Sequence, residues 1–497
     1  MKKSRNFLII MLISVFTLFA GCGKAQYNIG DIFEHTWTDA RTENIDLIIN
    51  EDGFLSFPIV SVKTQEEAIT AEYSTCEISV ISNVEEQNIT DASAQIKVRG
   101  NGTARYDKKP YRIKFDQKQS MFGLNDNLKA KSWVLLAEYT DKTMLKNLTA
   151  FYLAQQLLGV DGYYVSDYKL VEVYINNSYQ GIYLLAEQQQ VNKKRINITE
   201  PNNDYTGTDI GYFLEMDAYY EGEEHYFEIE YDNLNFINGE VASLEDFEKH
   251  YVIKSDIYSE EQKQFISNFL QGVWNITYDA VFNDHTNEPY LTINENNEIV
   301  EDENIKSVYE AVSGVIDITS LVDTFILQEI CENIDIGWSS FYLTFDFGTN
   351  GDKKLTFQAP WDFDWALGQG SYNLDGFYTC ARQDEYVIKK INPWLVILCN
   401  QDWFMDLVKQ RINEINNQNV FDDITQLIGA YSSSCSTLFE RNYIKWKNCL
   451  TYAEEKYTSQ EYKSATTQKE AADWLIEFLE ARRDFLFSYF ISNENEE

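Results

Sequence analysis

The hydrophobic period changes along this chain, and that change limits the fold more than any other feature. From Phe54 to Ser82, runs such as FPIVSV and CEISVIS alternate with the period of two that suits strands. The same alternation continues in QIKVRGNGTARYDKKPYRIKFD at 95–116, in YKLVEVYINNSYQGIYLLAEQ with a turn at or just beyond Asn176-Asn177, and in GYFLEMDAYY and HYFEIEYDN. One helix interrupts this front half, carrying MLKNLTAFYLAQQLLG and ending at Gly159. Farther on, residues 257–285 and 319–332 repeat at helical spacing, with an acidic, Asn-rich loop expected at 292–305. A second strand pair, SSFYLTFDF and KLTFQAPWDFDW, is joined through GTNGDKK. From Pro393 onward the pattern is mostly helical, with Trp394, Phe404, Ile412, Phe421, Leu427, Trp474, Leu475 and Phe478 as core positions. The expectation is an α+β protein of two lobes, strand-rich in its N-terminal half and helical in its C-terminal half.

The first residues carry a separate message. Lys2, Lys3 and Arg5 precede the apolar run Phe7 to Ala20 and then Gly21-Cys22, the order of a signal peptide. The run is too short for a comfortable membrane span, and FAGC resembles a lipoprotein cleavage box with Phe19 where leucine is usual. Cleavage before Cys22 would let lipid chains anchor the protein at the outer face of the membrane; the alternative is an ordinary secretory leader with an incidental cysteine.

The chain has 497 residues and a formal net charge of -38, a field that repels nucleic acid and argues against it as a partner. The acidity suits a basic partner or loosely held divalent ions, or is a soluble surface and nothing more. An aromatic content of 15% excludes a disordered acidic linker. Six cysteines follow Cys22 at wide spacing, and with only four histidines a zinc cluster is disfavoured. The length predicts several units: a leader (1–21), a lipid-anchored linker (22–50), a β region (51–90) that is either an accessory module or extra strands of the next unit, a nucleotide-binding lobe (91–245), a catalytic lobe (246–420) and a helical extension (421–497).

Three clusters hold more polarity than their apolar surroundings require. Arg99, Lys109, Arg112 and Lys114 surround the turn Gly100-Asn101-Gly102, where backbone N–H groups can approach an anion. In a strand, Arg112 and Lys114 share a face, which suits either convergence on one anion or a solvated side. Asp335 sits in CENIDIGWSSFYL, between a helix and a strand. Asp362 and Asp364 lie among Trp361, Phe363 and Trp365 in PWDFDWALGQG, on one side if that segment is extended. Carboxylates in such company are costly unless paired or bound to a cation, and a hard divalent ion is the natural occupant. Together these parts meet the needs of phosphoryl transfer, and equally of metal-dependent hydrolysis.

The motifs VRGNGTARYDKKPYRIKFD, WVLLAEYTDKTMLKNLTAFYLA, VEVYINNSYQGIYLLAEQ with KKR behind it, GYFLEMD, ENID with SSFYLT, APWDFDWALG and NPWLVILCNQDWF occur in that order. In this the chain resembles the spore-coat-protein-H kinases, the CotH kinase family, over roughly residues 90–420. The resemblance implies a divergent protein-kinase-like fold that uses ATP and a divalent ion, magnesium or manganese, to phosphorylate hydroxyls of secreted or surface proteins, with basic or Ser-rich partners suiting the charge. It implies that Asp335 orients the substrate hydroxyl and that Asp362 binds metal, with Asp364 as second ligand or orienting group. Lys114 or Lys109 would hold the ATP phosphates, Lys114 being preferred because a strand fixes its direction. Arg99 with Gly100 and Gly102 would cover the phosphates, and Glu138 or Glu187 would pair with the lysine or stand near the nucleotide. Lys146-Asn147 match a basic-Asn pair at the start of a helix. Where protein kinases carry a second metal-binding Asn, the spacing here reaches Ser340. A pseudokinase that binds without catalysis, and a phosphoryl or nucleotidyl transferase acting on a cell-wall glycan, are the competing readings.

Overall fold

The computed structural model describes residues 44–50, 53–369, 374–381, 390–447 and 459–491, so the leader and Cys22 lie outside the described residues. The alternating front half closes into a seven-stranded barrel. Its strands are β1 (Ile59–Thr64), β2 (Ser74–Ile81), β3 (Ile89–Val98), β4 (Tyr111–Gln119), β5 (Ala130–Leu136), β6 (Tyr168–Ile175) and β7 (Ser178–Glu187). Neighbours pair in the order β1-β2-β3-β4-β5-β7-β6. All of these pairs are antiparallel except the closing one, in which Ile59 to Val62 run parallel to Glu172 to Ile175. The β region before residue 90 therefore supplies two of the seven staves. Asn176 and Asn177 both take positive φ (49° and 64°), which lets two residues turn the β6-β7 hairpin.

Alternate side chains fill the barrel, among them Val60, Ile78, Ile96, Ile113, Trp133, Val171 and Leu185. On β5, β6 and β7 the opposite face is apolar too: Val134, Leu136, Leu170, Ile182 and Leu184 belong to the larger core shared with the helices. Burial on both faces explains why these strands read as nearly unbroken apolar runs. Against them lies α1 (Lys146–Ala154), buried along its whole length and continued by a π turn, Gln155–Gly159.

A five-stranded sheet stands beside the barrel, in the order β9-β10-β8-β11-β12, formed by β8 (Gly211–Met216), β9 (Tyr226–Glu228), β10 (His250–Ile253), β11 (Phe341–Asp346) and β12 (Thr356–Phe357). The remaining longer helices are α2 (Glu260–Phe282), α3 (Val308–Val315), α4 (Ile318–Cys331), α5 (Asp402–Asn417), α6 (Val420–Ser434), α7 (Ser436–Lys445), which packs on the barrel strand β7, and α8 (Gln468–Phe490). Trp394, Phe404, Ile412, Phe421, Trp474, Leu475 and Phe478 are buried as expected, with Leu427 packed at the margin. The architecture is a two-lobed α+β arrangement, strand-rich first and helical after. Among the described residues no helix is long and apolar enough to cross a membrane, and Cys76, Cys331, Cys380, Cys399 and Cys435 are buried thiols.

Two local expectations need correction. The acidic stretch at 292–305 is not a plain loop: Tyr290–Ile293 pairs with Ile299–Asp302 in a hairpin, its turn closed by Asn294 and Asn297. The segment holding Asp362 and Asp364 is not an extended strand, because β12 stops at Phe357 and Ala359, Asp362 and Leu367 all take positive φ.

Candidate active site

Between the barrel and the five-stranded sheet lies a cleft of about 940 Å³. The barrel contributes the end of β3, where Arg99 leads into the turn at Gly100. That glycine has φ of 84°, and a Cβ there would stand 2.4 Å from Thr103 Oγ1. Arg99, Gly100 and Gly102 line the cleft, as do Lys97 and Arg112. The Arg99 guanidinium lies 5.7 Å from the centre of the Trp361 ring. Lys109, Lys114 and Glu187 are not part of this lining. Lys109 Nζ donates to Ala104 O (3.0 Å) and so ties down the turn. Lys114 is exposed on the outer face of β4, its Nζ 5.9 Å from the Tyr73 ring centre. Glu187, fully buried, pairs with Arg195 Nε (2.8 Å) and accepts from the Asn125 amide.

The opposite side of the cleft is acidic. After α4, Glu332 turns the chain with φ of 49°, and Asn333 Oδ1 accepts from Asp335 N (3.0 Å). The same Asn333 amide donates to Asp362 O (3.2 Å), so one side chain ties the Asp335 loop to the Asp362 loop. Ser340, also at positive φ (59°), donates its hydroxyl to Asp362 Oδ2 at 3.3 Å. Asp364 is held from α1: Asn147 Nδ2 donates to Asp364 Oδ1 (2.6 Å) and to Glu138 Oε1 (3.0 Å), while its Oδ1 accepts from Phe363 N (3.0 Å). The curl of this segment around Asn147 replaces the expected strand. Glu138, Ser340 and Asp362 all hold left-handed backbone, a concentration of strain typical of sites whose surroundings over-determine them.

The carboxylates crowd one another. Burial first, and then the charges of Asp364 and Asp335, push Asp362 up to about 7, against the pull of Arg99 and the Ser340 hydroxyl. Burial raises Asp364 as well, opposed by Asn147 and Arg99. Glu138 is driven well above the carboxylate range by burial and by Asp364 and Asp141. Behind them burial brings Lys146 down to about 7, despite Asp141, Asp364 and Glu138 nearby. A cation among these oxygens would relieve the repulsion. Among the described residues no three Asp, Glu, His or Cys side chains gather closely enough to hold an ion unaided. Asp362 and Asp364 could hold magnesium only in the manner of a site with one or two carboxylates completed by substrate phosphates and water.

Sequence reasoning passed over two contributors, Asn333 and Lys254, and reached a third, Asn147, only through the family resemblance. Asn147 and Asn333 act through amide hydrogen bonds, which leave no periodic trace. Lys254, at the end of β10, bridges Glu215 and Glu223 at 3.1 Å each, and all three line the cleft. Glu215 also accepts from Tyr342 OH (3.0 Å), its neighbour across the β8-β11 pair. Charged residues inside the apolar strands GYFLEMD and HYVI-Lys254 were the available signal.

No curated protein matches the chain. A family model described as CotH kinase protein matches residues 96–486, a stretch that takes in the glycine turn, both acidic loops and the helices behind them. With most of its length so matched, the chain belongs to the CotH kinase family, and a kinase-like function comes with that membership.

Proposed function

We propose that this chain is an extracytoplasmic protein kinase, anchored by lipid on Cys22, that transfers the γ-phosphoryl group of ATP to serine or threonine hydroxyls of secreted or surface proteins. The observation that carries the reading is the polarity of the cleft: Arg99, Arg112 and Lys97 on the barrel side face Asp335, Asp362 and Asp364 on the other. Among the described residues neither Arg99 nor Arg112 has a carboxylate within ion-pair distance, in a chain with a large excess of acids. Unpaired guanidinium groups suit phosphate oxygens. The backbone at Gly100 to Gly102 approaches the same phosphates. Asp335 orients the acceptor hydroxyl and takes up its proton as the new phosphate ester bond forms and the bond from the γ-phosphorus to the bridging oxygen breaks, releasing ADP. Asp362, aligned by Ser340, and Asp364, aligned by Asn147, hold magnesium or manganese; the ion, when bound, neutralises charge on the transferring group.

Transfer of label from γ-labelled ATP, run beside α-labelled ATP, tests this reading on a basic, Ser-rich acceptor protein. Wild type transfers only the γ label, and Asp335→Ala or Asp362→Ala lowers the rate by about 100-fold or more. Arg99→Ala and Arg112→Ala raise KM for ATP by about 10- to 100-fold, the worth of a charge-assisted hydrogen bond, whereas Lys114→Ala leaves it unchanged; the reverse result would return the phosphate role to Lys114. A second reading, a binding protein that keeps the cleft without catalysis, draws support from Ser340 standing where kinases place a metal-binding Asn. ATP binding with no transfer under any divalent ion would favour it. Transfer of the α label to glycan would favour a nucleotidyl transferase.

A further inference from the structure

We infer that Tyr462, just before α8, is a positioning residue for the acidic side of the cleft; the catalytic part of this inference rests on the kinase reading. Tyr462 is fully buried, and its hydroxyl stands where two loops meet. It accepts from Lys142 N (2.8 Å) and is within reach of Asp141 Oδ1 (3.1 Å) and Gln369 Oε1 (3.3 Å). Each contact leads to the cleft by a short route. Asp141 Oδ2 accepts from the amides of Leu145 and Lys146 (2.9 Å each), which fixes the start of α1. The next residue is Asn147, which holds Glu138, Phe363 and Asp364. Gln369 lies five residues beyond Asp364, donates to Thr140 O (3.0 Å), and accepts from Lys146 Nζ (2.9 Å). Tyr462 therefore grips both the loop that carries Glu138 and the loop that carries Asp364.

Neighbouring residues of the same segment strengthen this grip. Lys142 Nζ is held by three carbonyls, those of Tyr462 (3.1 Å), Lys463 (2.6 Å) and Ala465 (3.0 Å). Gln468 donates to Thr143 O (3.0 Å). The Lys146 ammonium lies 4.2 Å from the centre of the Tyr462 ring. Trp474 packs so closely over Gly368 that a Cβ there would stand 1.8 Å from its ring. A segment serving only to cover apolar surface has no need of this polar convergence behind two loops, since buried polar atoms are costly unless matched.

The test uses the full chain with Tyr462→Phe, which removes one oxygen and leaves the ring. Amide hydrogen exchange of 138–147 and of 363–369 rises together, about tenfold, while exchange in the barrel strands is unchanged. With γ-labelled ATP, kcat falls about tenfold and KM for the acceptor is unchanged, a split that general destabilisation would not give. Gln369→Met, which removes the acceptor on the other loop, reproduces the pattern; Asp473→Asn, exposed on α8, does not. Loosening confined to 459–468, or both loops loosening with kcat unchanged, overturns the inference. If wild type transfers no phosphate, the kinase reading fails by itself, and the exchange data alone decide: coupled loosening upholds the brace, and its absence overturns it.

Discussion

Asp362, Asp364 and Glu138 share one difficulty, which is to stay charged beside one another with little water. For Asp362 the folded-state value stands near 7, well above that of an unfolded chain, so folding takes up a proton. Stability from this source is fully present below about pH 4 and is lost as pH rises through about 7. The melting temperature of magnesium-free protein therefore falls between about pH 5 and about pH 8, and falls less in Asp362→Asn; scanning calorimetry of the two proteins side by side checks this. The same variant loses transfer by about 100-fold or more without losing stability at neutral pH, because one of the repelling charges has gone. At this scale the sequence was partly legible. Acids set among Trp361, Phe363 and Trp365 announced themselves by their cost, whereas Asn147 stood out only through the family resemblance, because Asp364 and Phe363, which it holds, lie more than two hundred residues away. The preference for Lys114 over Arg112 shows the limit of strand alternation. Both side chains leave the same face of β4, but successive residues on one face are about 7 Å apart, and the cleft reaches only the first.

Elements are fixed to one another here by buried ion pairs as well as by apolar packing. Arg411 of α5 is fully buried, paired with Asp323 of α4 (2.7 Å), with Glu414 (2.8 Å) and with Asp161, and it donates to Leu157 O (2.9 Å) in the π turn after α1. It thus joins α1, α4 and α5 at one point. Arg411→Met strands two buried carboxylates and costs about 3–5 kcal/mol, read as a lowered denaturant midpoint with the slope unchanged. At the other end of α1, Asn147→Ala leaves Phe363 N without its acceptor and costs about 1–3 kcal/mol; its transfer rate falls more than its stability does, since Glu138 and Asp364 lose their common donor. Periodicity was enough to find most strands and helices. It was silent on how the barrel closes, because the parallel match of Ile59 with Glu172 joins segments separated by more than a hundred residues. It also missed the 290–302 hairpin, whose acidic and amide residues carry no alternating apolar signal.

For the molecule as a whole, charge and edges decide what can approach. With a net charge of -38, the surface attracts cationic acceptors over a range set by salt. Raising ionic strength from about 0.05 to about 0.5 M, which shortens the screening length roughly threefold, lowers kcat/KM for a lysine-rich serine peptide and leaves that for a neutral serine peptide nearly unchanged; steady-state kinetics on the pair checks this. The edges matter in another way. Closing the barrel leaves its seven strands with no unpaired side, and the five-stranded sheet ends in β9 and β12, strands of three and two residues. These two sheets leave little free backbone for a passing chain to pair with. An unfolded neighbour finds little template for sheet growth on the barrel or the five-stranded sheet. On the kinase reading, an acceptor that docks against these two sheets is held by the side chains around its target hydroxyl more than by its backbone.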